Sequence, residues 1–476
     1  MSTDVWPQPV LDLLAAGGNR PVFEHGVRVV SAAQMSALIR RIAAGLRAAG
    51  ARPGTAVVLR LGVDPEAFAA ILAAFAVGAR VAGVRADQLV EALAGGDALL
   101  VDEARLAELL NTPDDGRPMV AAGRPADIAR ILHTSGSTGG PKGCAQTYAA
   151  MSAAWAPYPD RWPPAIRELA GRLGRYLVFG SLSSQVMLEY GVLALAAGGT
   201  LVVADPPTFP AAIVRHRATA SVITVGKLHQ LVRAQQAQPA DLGGLRALMV
   251  SGSPLEPGRL REALDVLGPV VFHGYGQTET GMIAMVTPAE MAESPAALAS
   301  VGRPPDVVDV SIRGGELYVR TSAQASCYWG DPIESAEVFV DGWVRTRDLA
   351  EVGADGYLRL LGRTRDVIIV QAMLVHAGPI ERVLAADPTV AEAYVTGRPD
   401  DETGEAVYAY VVPVTGRRPD AEALSKRVAE RLGESAVPKM VAVIDRVPVT
   451  ASGKPDKSAL GRAPRRTGTG ATVDGH

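Results

Sequence analysis

The sequence predicts an α/β protein in which a large N-terminal domain of β/α subdomains carries a small β subdomain and is followed by a small α+β C-terminal domain. Three observations point there. Apolar runs of strand length alternate with Ala/Leu/Arg-rich segments of helical period over most of the chain. Near residue 311 the texture changes to short β-like runs separated by Gly- and Asp-containing turns. Beyond residues 362–363 the alternation resumes in a compact unit. The length, 476 residues, also calls for more than one core.

The elements follow in order. Residues 31–49 place Met35, Leu38, Ile39, Ile42 and Leu46 at helical spacing, and residues 56–60 read as a buried strand. Residues 65–75 and 80–84 repeat that pair. Further strands of the same kind are expected at 176–179, 200–203, 220–224 and 247–250. The short β runs are 310–312, 316–319, 343–345 and 357–361. The last unit holds a strand at 367–370, a loop after it, a helix at 378–386, strands at 390–395 and 407–413, and a helix at 421–431. The expected domains are therefore 1–363 and 367–462, joined at 364–366. A Gly/Thr/Arg-rich tail at 463–476 lacks periodicity and is expected to be disordered. No internal repeat is visible.

Composition excludes several classes of function. Lys and Arg number 47 against 50 Asp and Glu, a net charge of −3, so there is no basic excess of the kind that neutralises many phosphates; nucleic acid is not the expected partner. The two cysteines, Cys144 and Cys327, cannot assemble a disulfide framework or a cysteine-based zinc site, which fits a reducing cytoplasm. The N-terminal residues lack the basic and apolar regions of a secretory signal. Apolar stretches at 67–79 and 190–204 fall short of the roughly 20 residues that a membrane helix needs. A cytoplasmic protein without membrane attachment is expected.

The first chemical signal is residues 134–143, Thr-Ser-Gly-Ser-Thr-Gly-Gly-Pro-Lys-Gly, directly after apolar Ile131 and Leu132. Glycines allow tight backbone turns that present N–H groups, hydroxyls donate hydrogen bonds, and Lys142 adds a positive charge, so the segment can cradle a polyphosphate. It is not a Walker A loop, because Pro141 precedes the lysine where that motif needs Gly and Gly143 follows where it needs Ser or Thr.

This loop resembles the phosphate loop of the adenylate-forming superfamily: acyl- and aryl-CoA ligases, peptide-synthetase adenylation domains and luciferases. Other landmarks follow in that superfamily's order. Gly252-Ser253-Pro254-Leu255 is similar to the segment lining the adenine side, and Tyr275-Gly276-Gln277-Thr278-Glu279 matches its Tyr-Gly-x-Thr-Glu motif. Gly315-Glu316-Leu317, Tyr328-Trp329, the run from Asp341 to Asp348 and Gly362-Arg363 lead into the hinge. Residues 448–454, Pro-Val-Thr-Ala-Ser-Gly-Lys, resemble the terminal motif. The likeness spans roughly residues 25–460.

The resemblance implies a reaction and assigns its parts. A carboxylic acid attacks the α-phosphorus of ATP, pyrophosphate leaves, and cations offset the repulsion between the two anions. Thr134, Ser135, Gly136, Ser137, Thr138, Gly139 and Lys142 hold the phosphates. Gly252, Ser253, Pro254, Tyr275, Gly276 and Gln277 surround the adenine, on which Tyr275 stacks. Thr278 hydrogen-bonds the α-phosphate, and Glu279 is the Mg2+ ligand, a hard oxygen donor suited to that ion. Asp348 and Arg363 bind the ribose. Lys454 bridges the carboxylate and the α-phosphate. A lysine so distant from the phosphate loop implies a mobile C-terminal lid turning about a hinge at Arg365, where Asp or Lys is more usual.

Several positions depart from the superfamily's pattern. Ala372 stands where Gly is usual in the segment passed by a pantetheine arm, so a methyl group narrows that passage. Thr346-Arg347-Asp348 replaces Thr-Gly-Asp, and Thr147-Tyr148 replaces Thr-His. The expected substrate wall, residues 180–185 with Ser183 and Ser184, together with Ser251, His273 and Gly274, is small and polar, and residues 180–187 contain no Asp to hold an amino group. His273 reads equally as a substrate contact or a structural histidine. Trp155, Tyr158 and Trp162 lie in a Pro-rich segment read first as a surface loop and second as a pocket cap.

The leading expectation is an ATP- and Mg2+-dependent ligase for a small, aromatic or short acid, with coenzyme A or an acyl carrier protein's pantetheine as acceptor. A second sends the acyl group to an amine, or activates an inorganic oxyacid such as nitrite. A third, from another class, is an inactive nucleotide-binding protein; the joint presence of Lys454, Glu279 and Asp348 argues against it.

Overall fold

The computed structural model describes residues 5–83, 98–134, 142–205, 207–364, 366–371, 373–449 and 455–462. The tail expected at 463–476 lies outside them. The chain divides into two compact units, Met1–Gly252 with Arg261–Ser311 and Tyr318–Thr346, and Ser253–Leu260 with Ile312–Leu317 and Arg347–His476.

The strands of the first unit begin with β1 (Pro21–His25), β2 (Arg28–Ser31), β3 (Ala56–Leu59), β4 (Arg80–Gly83), β5 (Leu99–Val101), β6 (Ile128–Thr134) and β7 (Lys142–Thr147). They continue with β8 (Arg175–Val178), β9 (Thr200–Val203), β10 (Ala220–Thr224), β11 (Ala247–Ser251), β12 (Val271–Gln277) and β13 (Gly281–Val286). An eight-stranded sheet has the order β13-β12-β11-β10-β8-β9-β1-β2. Strands β8 to β12 pair in parallel within it, while β1–β2 and β12–β13 are antiparallel hairpins. Parallel strands buried on both faces explain why these segments read as continuous Val/Leu/Ile runs without polar alternation.

The chain continues with β14 (Val308–Arg313), β15 (Glu316–Thr321), β16 (Cys327–Trp329), β17 (Phe339–Val340), β18 (Trp343–Val352) and β19 (Leu358–Arg363). The six-stranded sheet runs β16-β7-β6-β4-β3-β5. In it β3, β4, β5 and β6 are parallel, whereas β6–β7 and β7–β16 are antiparallel. The small β subdomain expected from the turn-rich texture is a five-stranded sheet, β14-β15-β18-β17 with β19 on β18.

Local chemistry sets the helices. Ser31 and Gln34 form a reciprocal capping box that starts Ala32–Ala48. Asp64 caps Pro65–Ala76, whose sequence is apolar on every side and whose residues from Ala67 to Ala76 are all buried. Tyr148, the departure from Thr-His, is a core residue: its ring is fully buried and its hydroxyl donates to the carbonyls of Phe75 (3.1 Å) and Ala79 (2.7 Å). Thr147 caps the short helix that follows.

In the second unit β20 (Val367–Val370), β21 (Met373–His376), β22 (Val390–Asp400), β23 (Gly404–Pro413) and β24 (Met440–Val443) form a sheet in the order β21-β20-β23-β22, with β24 on β23. The helices Ala377–Ala385 and Ala421–Leu432 contribute Ile380, Leu384, Leu424 and Val428 to its core. The loop expected after residue 370 is instead half of a β20–β21 hairpin, in which Gln371 adopts φ +49°. Turn signals there are absent because a glutamine, not a glycine, occupies the left-handed position. Strand β22 also runs beyond the expected residue 395, pairing with β23 as far as Asp400↔Gly404. The polar Arg398-Pro399-Asp400 sequence hides that extension.

Candidate active site

The phosphate-binding candidate is the connection of a β-hairpin. Thr134 ends β6 and Lys142 begins β7, and the two are directly paired across the ladder. Ser135, Gly136, Ser137, Thr138 and Gly139 lie outside the described residues, as do Arg365, Ala372 and Lys454. Lys142 Nζ sits 2.6 Å from Glu334 Oε1 and 5.5 Å from the centre of the Tyr328 ring. Pairing of β16 with β7 brings Tyr328 opposite Cys144, two positions from the lysine.

The Tyr-Gly-Gln-Thr-Glu motif forms the end of β12 and the turn into β13. Gly276 is required there, since a Cβ would collide with the Gly281 carbonyl across the hairpin. Thr280 Oγ1 accepts from the Gln277 N–H (3.2 Å), and the Gln277 side-chain amide donates to the Thr346 carbonyl (3.0 Å). Glu279 is anchored twice: its carbonyl accepts from Ala325 N, and its carboxylate accepts from the Tyr328 hydroxyl at 2.6 Å. Burial, then the charge of Glu279, raises the Tyr328 phenol, so it remains a donor. Thr278 and Glu279 are half-buried beside this network. Among the described residues no group of three or more His, Cys, Asp or Glu could hold a metal ion.

Ser251 ends β11 at its carboxyl end, where open α/β sheets place their ligands, and Gly274 lies mid-strand in β12 just past the last pair that β12 makes with β11. Gly252 follows with φ +96°. His273 is buried, and desolvation lowers its imidazole to about 4 despite a hydrogen bond to the Ser300 backbone, so it is neutral. Gly274 packs against the Met249 side chain. Ser183 packs on Gly83, where any side chain would collide with its hydroxyl, and Ser183 Oγ lies 2.7 Å from Ser181 Oγ. Ser184 is exposed and caps the helix Gln185–Ala196, accepting from Met187 N.

In the second unit Asp348 and Arg363, both assigned to the ribose, are cross-strand partners on β18 and β19. Arg363 Nε lies 2.9 Å from Asp348 Oδ1; the aspartate side chain is 5% exposed and the arginine 62%. Arg347, which replaces the glycine of the Thr-Gly-Asp pattern, has φ +59°. That explains why glycine is the usual residue at this point. Ser253 is half-buried and Pro254 exposed at the start of the segment Ser253–Leu260.

The residues that sequence reading missed surround a cavity of about 300 Å³ inside the first unit, whose wall includes Thr280, Gly281 and Met282 directly after Glu279. Trp155 lines it and meets Tyr190 edge-on at 6.3 Å, so its Pro-rich segment is more than a surface loop. Arg130, Gln146 and Glu189 are also in the wall. Arg130 and Gln146 are cross-strand partners on β6 and β7, with Arg130 Nε donating to Gln146 Oε1 at 2.7 Å. Burial lowers the Arg130 guanidinium to about 10, which leaves it charged at neutral pH. No motif marks these residues, and in sequence each reads as a solvated surface polar residue.

The AMP-binding enzyme family matches residues 94–329, and the AMP-binding enzyme C-terminal domain matches residues 379–454. A feruloyl-CoA synthase from an Amycolatopsis species is 32% identical over 90% of this chain and 93% of its own length. An indoleacetate–CoA ligase from Aromatoleum aromaticum is 30% identical over 90% of this chain and 92% of its own. The solved structure of an amide bond synthetase from Marinactinospora thermotolerans superposes with a TM-score of 0.81 at 32% identity, covering 95% of this chain and 99% of that one. No helix among the described residues is long and apolar enough to cross a membrane. On these matches the chain belongs to the AMP-binding enzyme family and is an AMP-forming acid ligase.

Proposed function

We propose that the chain activates a small aromatic or short carboxylic acid as its acyl-adenylate and passes the acyl group to a thiol, that of coenzyme A or of a carrier protein's pantetheine. The carrying observation is the small cavity walled by Thr280, Gly281 and Met282, next to the turn that bears Thr278 and Glu279. Its volume of about 300 Å³ suits one ring or a short chain rather than a long acyl tail. The names of two relatives, for feruloyl-CoA and indoleacetate, fit an aromatic acid.

In this reading residues 134–139 and Lys142 hold the ATP phosphates, Gly252, Ser253, Pro254, Gly276 and Gln277 surround the adenine stacked on Tyr275, and Asp348 with Arg363 takes the ribose hydroxyls. Thr278 donates to the α-phosphate. Mg2+, which supplies charge neutralisation on the phosphates, is held by Glu279. Lys454 steadies the charge that builds as the carboxylate oxygen attacks phosphorus. Ser183, Ser184, Ser251, His273 and Gly274, the positions expected on the acid's side, are not in the wall of this cavity. Residues 367–462 act as a lid hinged at Arg365.

A second reading replaces the thiol by an amine. Ala372 in place of the usual glycine and the likeness to an amide bond synthetase favour it. Pyrophosphate release with Mg·ATP and a panel of aromatic acids, short aliphatic acids, amino acids and nitrite tests adenylation, and its response to coenzyme A or to amines separates the acceptors. Lys454→Ala is expected to retain ATP binding and to lose at least about two orders of magnitude in adenylation rate. Unchanged turnover would remove Lys454 from its role.

A further inference from the structure

We propose that Arg130 and Glu189 read a hydroxyl or amino group at the far end of a single-ring aromatic acid, making the cavity selective for ring-hydroxylated or ring-aminated acids over unsubstituted ones. The inference rests on the adenylation reading and specifies its substrate.

Three structural facts carry it. First, Arg130 and Gln146 share one face of the β6–β7 hairpin with Lys142, with the Leu132–Cys144 pair between them. At about 3.3 Å per residue, Arg130 stands roughly 13 Å along β6 from Thr134, and the Leu132–Cys144 pair between them packs in an apolar cluster with Tyr328 and Val344, so the cavity's polar end is set apart from the end of β6.

Second, the polar groups in the wall have unused capacity. Arg130 spends its Nε on Gln146, and its two terminal amino groups have no hydrogen-bond partner among the described residues. Gln146 is fixed in turn by donating to the Ala323 carbonyl. Glu189 lies on the cavity face of the helix Gln185–Ala196, one turn from Gln185, and its carboxylate accepts no hydrogen bond among the described residues. Trp6, 4% exposed, is part of the same wall, and its indole Nε1 also lacks a partner among the described residues. The buried Trp6 indole N–H without a partner, beside the Arg130 donors and the half-buried Glu189 carboxylate that face the same cavity, calls for a ligand there.

Third, the balance of charge chooses the ligand's chemistry. The exposed Arg161, also in the wall, lies on the Tyr158 ring, while Arg130 and Glu189 face each other's field, which disfavours an ammonium tail or a second carboxylate beside Glu189 and suits a neutral group that both accepts and donates. A ring hydroxyl or aniline nitrogen accepts from Arg130 and donates to Glu189. Trp155, Met151 and Met282 supply the apolar sides that a ring needs. A site built to hydrogen-bond such a group rejects the analogue that lacks it far more strongly than an apolar pocket rejects an extra methylene.

The test uses the full-length protein with Mg·ATP and pairs of acids, benzoate against 4-hydroxybenzoate and 4-aminobenzoate, and cinnamate against 4-hydroxycinnamate. The readout is the ratio of kcat/KM within each pair, from pyrophosphate release, in wild type, Glu189→Gln and Arg130→Met. Wild type is expected to favour a substituted acid by at least about tenfold, and each variant to reduce that ratio to a few-fold or less. Glu189→Gln is nearly isosteric and carries the test if Arg130→Met does not fold. A wild-type ratio near one, or a ratio unaltered in Glu189→Gln, overturns the proposal. Calorimetric binding of the same acids, without turnover, keeps the two readings apart. Selective binding of 4-hydroxybenzoate that Glu189→Gln abolishes upholds the cavity assignment even if no acid releases pyrophosphate. Equal binding of each pair rejects it even if adenylation proceeds.

Discussion

Lys142 Nζ lies 2.6 Å from Glu334 Oε1, and the two side chains are only 13% and 15% exposed. The phosphate loop thus returns to the sheet on a lysine tethered by a carboxylate nearly two hundred residues away in sequence. The tether fixes the direction in which the ammonium's donors point. Glu334→Leu leaves a largely buried cation without this partner and is expected to cost about 1–3 kcal/mol of unfolding free energy. Urea unfolding checks this, and the KM for ATP should rise in parallel. An unshifted midpoint would show that the pair contributes nothing.

Tyr328 couples the same region to the metal-binding candidate. Its hydroxyl donates to Glu279 at 2.6 Å, fixing one carboxylate oxygen and leaving the other free to turn towards a cation. Tyr328→Phe keeps the ring and removes the tether. The Mg2+ concentration needed for half-maximal pyrophosphate release is expected to rise several-fold, with a much smaller change in KM for the acid. An unchanged Mg2+ requirement would separate Glu279 from the metal.

Much of this arrangement is legible in the chain, for identifiable reasons. Parallel strands covered on both faces read as apolar runs, so β8 to β11 stand out, and the Tyr-Gly-Gln-Thr-Glu turn marks itself because glycine is required at Gly276. The rest depends on partners far apart in sequence. Nothing in residues 327–329 announces that β16 will pair with β7 and carry Tyr328 to Glu279. Arg130, Gln146 and Glu189 look like unrelated surface residues until the hairpin and a helix bring them round one cavity. Backbone conformation escapes where an atypical residue adopts it, as Gln371 does between β20 and β21.

Arg347 is a second such case, with a consequence for stability. With φ +59° it occupies the left-handed region, where a side chain costs roughly 1–2 kcal/mol and glycine costs little. Its carbonyl accepts from the Thr364 N–H (3.0 Å) and hydroxyl (3.2 Å), which holds the conformation in place. Glycine also loses more entropy on folding, so the net gain of Arg347→Gly is expected to be on the order of 1 kcal/mol. Thermal unfolding checks it, and a lower melting temperature would mean that the arginine side chain's own contacts outweigh the backbone strain.

Glu189 makes the stability of the first unit depend on pH. Desolvation pushes its carboxyl up to about 7, with the Arg130 guanidinium pulling the other way; Arg161 is the other charged group in this wall, and the buried Tyr190 phenol behind it feels the Glu189 charge. An acid whose pKa is higher in the folded than in the unfolded state holds its proton more tightly when folded. Its contribution is therefore most favourable below the ordinary glutamate range, declines as pH rises from about 4.5 to about 7, and is constant above that. Glu189→Gln removes the titration. The variant's stability relative to wild type should consequently increase across that window, by on the order of 1–3 kcal/mol between pH 5 and pH 8. Paired denaturant melts at those two values measure the difference directly, and the same offset at both would mean that Glu189 titrates as an ordinary surface carboxylate, open to water rather than enclosed with Arg130.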